Sequence, residues 1–117
     1  MTGRPVHVPL VRQGTINVAG KLPMEVVRRI VRQRFGMFRA CFEDGLKRNP
    51  ILKGGITVKF VIGRDGDVIM AQDGGSDLPD ANVVGCVVSA FKSALYPKPE
   101  EGIVVVSFPL TFSPSDE

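Results

Sequence analysis

The sequence predicts a two-layer α+β domain: an antiparallel sheet of three to four strands with two helices on one face, in the order (β)-α-β-β-α-β. Three observations carry this. Apolar residues recur at helical spacing after Pro23 and again after Pro79. The period changes to two from Ile56 to Gln72, around an Asp65-Gly66 turn. The last run, Ile103 to Phe112, alternates so regularly that one of its faces must be core. One apolar face per strand suits an antiparallel sheet covered by helices on a single side.

Each element follows in order. Residues 1–13 read as an extended arm punctuated by Pro5 and Pro9, and the domain proper as 14–113. Gly14-Thr15-Ile16-Asn17-Val18 suits a short strand that Gly20 ends. Pro23 and Glu25 then favour a helix start. Val27, Ile30, Val31, Phe38, Cys41, Phe42 and Gly45 make the apolar stripe of one long helix over 23–48. Asn49-Pro50 closes that helix, because the residue before proline disfavours helical backbone. Gly36 and Gly45 weaken it, and the Arg34 stem covers core while its head reaches water. Ile56, Val58, Phe60 and Ile62 alternate in a strand, and Val68 to Gln72 returns after the turn. Ser76 or Asp77 can cap the second helix, with Pro79 in its first turn. Val83, Val84, Val87, Val88, Phe91 and Leu95 form its apolar side, and Tyr96-Pro97 stops it. In the last strand Val104, Val106, Phe108, Leu110 and Phe112 face the core. Residues 114–117 are a polar tail.

Composition narrows the class. The 117 residues suit one domain, and 44% apolar content marks a folding chain. A net charge of +3 with 23% charged residues demands no nucleic-acid partner. No apolar run approaches a membrane span, and the first residues are no signal peptide, so a targeting or tethering segment is expected outside this chain. His7 is the single histidine, which makes Ser-His-Asp and Cys-His catalysis and an ordinary zinc site improbable. Asp65, Asp67, Asp73, Asp77 and Asp80 cluster around the hairpin, where turn and cap chemistry explains them better than calcium. The expected reading is a non-enzyme without cofactor or metal.

Three features remain for binding. Arg28, Arg29, Arg32 and Arg39 form a basic helix stripe that could meet an anionic envelope polymer or lipid, although a solvated face explains it more simply. Cys41 and Cys86 fall on two helices that could pack together, as a disulfide worth on the order of 4 kcal/mol or as two inert buried thiols. Pro109 cannot donate to a ladder, which places the last strand at a sheet edge with Ile103, Val105, Ser107, Pro109 and Thr111 turned outward. Such an edge accepts a further strand. The segment Gly14–Val18 could also cover it, within the chain or swapped into a homodimer.

Several segments together resemble the TonB C-terminal domain superfamily, and more closely the AgmX/PglI C-terminal domain family. They are Leu22-Pro23-Met24-Glu25-Val26-Val27-Arg28-Arg29-Ile30-Val31-Arg32, Phe38-Arg39-Ala40-Cys41-Phe42-Glu43, Val58-Lys59-Phe60-Val61-Ile62-Gly63-Arg64-Asp65-Gly66, Gly75-Ser76-Asp77-Leu78-Pro79-Asp80, Val84-Gly85-Cys86-Val87 and Phe108-Pro109-Leu110-Thr111-Phe112. The resemblance implies a periplasmic domain of an inner-membrane-anchored protein and a Cys41–Cys86 disulfide. It also implies a last strand that pairs with a segment of an envelope or outer-membrane partner. The AgmX/PglI relatives are linked to gliding motility.

Overall fold

In chain order the elements are β1 (Leu10–Gln13), β2 (Asn17–Ala19), α1 (Met24–Arg32), α2 (Phe35–Arg48), β3 (Gly54–Ile62), β4 (Val68–Asp73), α3 (Ala81–Lys92) and β5 (Val104–Ser113). The computed structural model describes residues 9–114; the arm through Val8, with His7, and the tail from Ser115 lie outside the described residues. The two most strictly alternating strands, β3 and β5, pair antiparallel from Gly54↔Phe112 to Ile62↔Val104. β4 returns along the other side of β3. The sheet order is β1-β5-β3-β4, with β2 joining β1 on the same side of β5.

The predicted α+β class and its one-sided sheet are what the chain forms. Ile56, Val58, Phe60 and Ile62 are buried on one face with Val104, Val106, Phe108, Leu110 and Phe112. The helices bring aromatic rings onto them. Phe42 meets Phe112 at 5.3 Å between ring centroids, and Phe91 meets Phe60 at 5.3 Å and Phe108 at 5.7 Å. Phe38 stacks on Phe91 at 4.8 Å, joining α2 to α3. Full burial of each such ring contributes about 1.5–3 kcal/mol.

Five expectations need correction or refinement. The last strand is not an edge, because β1 and β2 occupy its second side through Val11↔Phe112 and Val18↔Val106. Its outward set of Val105, Ser107 and Thr111 is therefore paired, to Ala19, Asn17 and Arg12. Pro109 keeps the meaning its chemistry gave it. Its carbonyl accepts from the Gly14 N–H at 2.9 Å, and a strand residue turns its nitrogen to the same side as its carbonyl. The missing donor thus falls at the break between β1 and β2, where no ladder partner needs it. Second, the arm contributes a strand, and Val11 is buried at 7% exposure, so the sheet has five strands.

Third, the long helix is two. Gln33 donates to the Ile30 carbonyl and Arg34 to the Val31 carbonyl, three-residue bonds that tighten and end α1. Fourth, the Arg34 head reaches the surface as expected but is anchored there to the end of another helix. Its Nη1 donates to Ser93 Oγ at 3.1 Å and its Nη2 to the Ser93 carbonyl at 2.8 Å. Fifth, the cap of α3 is Asp80, whose carboxylate accepts from the Val83 N–H at 3.1 Å. α3 then stops at Lys92, leaving Leu95 exposed beyond it. Ser76 and Asp77 close the end of β4 onto the start of β3 instead, accepting from the N–H groups of Thr57 and Gly55.

Tyr96 locks the far end of the hairpin. Its N–H donates to the Gly66 carbonyl at 2.9 Å, and its ring lies 5.9 Å from that of Phe60. Gly66 holds φ +92°, the left-handed turn position expected of the Asp65-Gly66 pair.

Candidate functional site

With β5 enclosed, the sheet ends at the four-residue β1 and the six-residue β4, and the longer of these two margins, β4, pairs only with β3 among the described residues. The Gly74 N–H donates to the Thr57 carbonyl at 2.7 Å. Alternation along the strand then directs the backbone of Gln72 and Met70 to β3, and that of Ala71 and Asp73 outward. The strand carries no proline and no lysine, two of the devices that blunt an edge.

The face of the sheet opposite the helices supplies side chains beside that edge. Ala19 pairs with Val105, Val105 with Val61, and Val61 with Met70, so one apolar row crosses four strands. Val105 and Met70 are 41% and 40% exposed, with Ile103 and Ile69 also exposed. The next row, Asn17, Ser107, Lys59 and Gln72, is polar, so the apolar patch ends there.

The basic stripe is only partly assembled. Arg28, Arg29 and Arg32 line one surface groove on α1 with Glu25 and Gln33. Arg28 is ion-paired to Glu25. Arg39 stands apart, its Nε donating to the Pro9 carbonyl at 3.2 Å. Asp73, Asp77 and Asp80 are occupied structurally. Asp73 accepts from Ser76 Oγ at 2.6 Å and from the Gly75 N–H at 3.0 Å, which hold its carboxyl below the usual carboxylate value. Asp80 is lowered by the Arg48 guanidinium first and the Val83 N–H second.

The two cysteines form a disulfide, with an S–S distance of 2.06 Å. It is the middle of three ties between α2 and α3. Arg34 grips Ser93 at the C-terminus of α3, Cys41 bonds to Cys86, and Arg48 Nη2 meets Asp80 at 2.9 Å at the N-terminus of α3. Positions 34, 41 and 48 are two helical turns apart and fall on one face. A cation at the carbonyl end and a carboxylate at the N–H end both agree with the α3 dipole. Sequence reasoning did not assign Arg34 and Arg48 to this role; their seven-residue spacing around Cys41 was the available signal.

Comparison of the chain with protein-family models, with curated proteins and with solved structures finds no match in any of the three.

Proposed function

We propose that this chain is a protein-interaction domain of a bacterial envelope protein, which recruits an extended partner segment by strand addition along β4. The observation that carries the reading is the unpaired β4 edge beside the apolar row of the open sheet face. Backbone groups of Ala71 and Asp73 supply affinity, and Met70 with its row neighbours supplies side-chain selectivity. The resemblance of the sequence segments to the TonB C-terminal domain superfamily supports a role in coupling inner-membrane machinery to the outer envelope, with a membrane tether upstream. The disulfide is compatible with an oxidising compartment, which supports the periplasm. No helix among the described residues is long and apolar enough to cross a membrane.

The test is a photo-crosslinker placed at Gln72 in the native envelope, compared with the same probe at Arg29. Ala71→Pro removes one outward N–H and spares the ladder to β3, so it abolishes the Gln72 crosslink while the melting temperature stays near wild type. Retention of the crosslink in the folded Ala71→Pro protein overturns the proposal.

A second reading follows from the α1 groove, where Arg28, Arg29 and Arg32 converge. It binds an anionic envelope polymer such as peptidoglycan. Cosedimentation that weakens steeply with salt and disappears in Arg29→Glu/Arg32→Glu supports it, and unchanged cosedimentation removes it.

A further inference from the structure

The Cys41–Cys86 bond does more than tie two helices, because its two residues differ in exposure. Cys41 is buried at 6% exposure on the inner side of α2. Cys86 lies on an exposed position of α3. Both line a shallow surface groove whose walls are small or apolar residues such as Ala40, Ser89, Ala90 and Met37, together with Asp44, whose carboxylate is ion-paired to Arg48. No bulky side chain on α3 shields Cys86 within that groove: its wall there is Ser89, Ala90 and Ser93. Thiol–disulfide exchange depends on which sulfur an incoming thiolate can reach.

We infer that the bridge is a directional thiol-exchange site, opened by a protein dithiol that attacks Cys86 and expels Cys41. The incoming thiolate forms a bond to Cys86 Sγ. The S–S bond breaks, and its electron pair leaves on Cys41 Sγ, which takes a proton. The second thiol of the partner then attacks its own sulfur in the mixed disulfide. Cys86 departs as a thiolate and is protonated, and the partner is left as an intramolecular disulfide. Two electrons and two protons have passed from the dithiol to the cysteine pair.

The fold is built to survive this opening. Arg34–Ser93 and Arg48–Asp80 still hold both ends of the α2–α3 pair, and the Phe38–Phe91 stack closes its core side. α3 nonetheless gains freedom above β3 and β4, which it covers. The redox state of the bridge therefore acts on the layer behind the β4 edge. This inference stands on the groove and the burial asymmetry alone and does not require the strand-addition reading.

The experiment exposes the native, oxidised protein to reduced glutathione, quenches with acid at early times, and maps the mixed disulfide by peptide mass. Glutathione is expected on Cys86 over Cys41 by at least about tenfold. The preference disappears in urea, where both sulfurs are equally open. Separately, alkylation of the free thiol is expected to be faster in Cys41→Ser than in Cys86→Ser, with both variants checked for native circular dichroism. Ser89→Leu, which fills the groove beside Cys86, slows exchange. Glutathione found chiefly on Cys41, equal labelling of the two in the native state, or reaction only after unfolding each overturns the inference.

Discussion

Gly45 and Gly85 both stand inside helices with ordinary helical backbone, and the structure assigns them opposite values. A Cβ on Gly45 would come within 2.5 Å of Val83 Cγ2 and 2.7 Å of Leu52 Cδ2, so its bareness lets α2 approach α3. A Cβ on Gly85 would meet nothing within 4 Å. Gly45→Ala is expected to destabilise by about 1–3 kcal/mol through overpacking, despite better helix propensity. Gly85→Ala is expected to stabilise by about 0.5–1 kcal/mol. Urea denaturation of the two variants checks both signs. Asp80 supplies a pH-dependent counterpart. Its folded carboxyl titrates below the ordinary value of 3.8, so its contribution is complete above that value and is lost as pH falls through the lower folded one. Melting temperatures measured downward from about pH 5 should fall more for wild type than for Asp80→Asn, which keeps a capping side chain and loses the ion pair. The caps themselves were only half legible in the sequence. Ser76, Asp77 and Asp80 all suit the start of a helix, and what separates them is their partners on other elements: N–H groups of β3 occupy Ser76 and Asp77, while Arg48 meets Asp80.

The broken strand and the broken helix show what an element can and cannot declare about itself. Alternation and turn chemistry place β3, β4, α3 and β5 within a few residues, since each rests on its own pattern. Pro109 correctly announces a strand side without ladder demand, yet no local pattern tells that side's occupant. The occupant is β1 and β2, whose individual lengths are too short for a strong periodic signal. The helix break at Gln33 and Arg34 is likewise tertiary in origin. No proline marks it, and Arg34 turns there to reach Ser93. Because β1 is part of the sheet and Val11 is buried, Val11→Ala should cost about 2 kcal/mol, whereas a residue in a loose arm would cost almost nothing. Equilibrium denaturation distinguishes the two. Amide exchange should also rank β1 below β3 and β5, because β1 is a four-residue strand at the sheet margin.

At the scale of the molecule, the two-layer class was legible because apolar faces had to be covered by something, and two helical stripes were available to do it. The sheet edge was misplaced for the complementary reason. Which strand ends a sheet is a property of the whole topology: the N-terminal strands fold back along β5 and take its outer side, which leaves β1 and β4 as the margins. The molecule measures 55 × 31 × 21 Å, with one covalent crosslink between its layers' helices. Cys41→Ser/Cys86→Ser is expected to remain folded and to lose about 4 kcal/mol of stability, read from denaturant midpoints. That crosslink also reroutes mechanical load. When the chain is stretched from its two ends, tension passes through the sulfur–sulfur bond, and the loop holding β3 and β4 bears none of it. The two cysteines are 45 residues apart in sequence. At about 3.4 Å per extended residue, roughly 150 Å of chain stays hidden while the bond is intact. Single-molecule stretching should therefore give a contour shorter by that amount in the oxidised protein, making the bond a limit on how far the domain can pay out under pull.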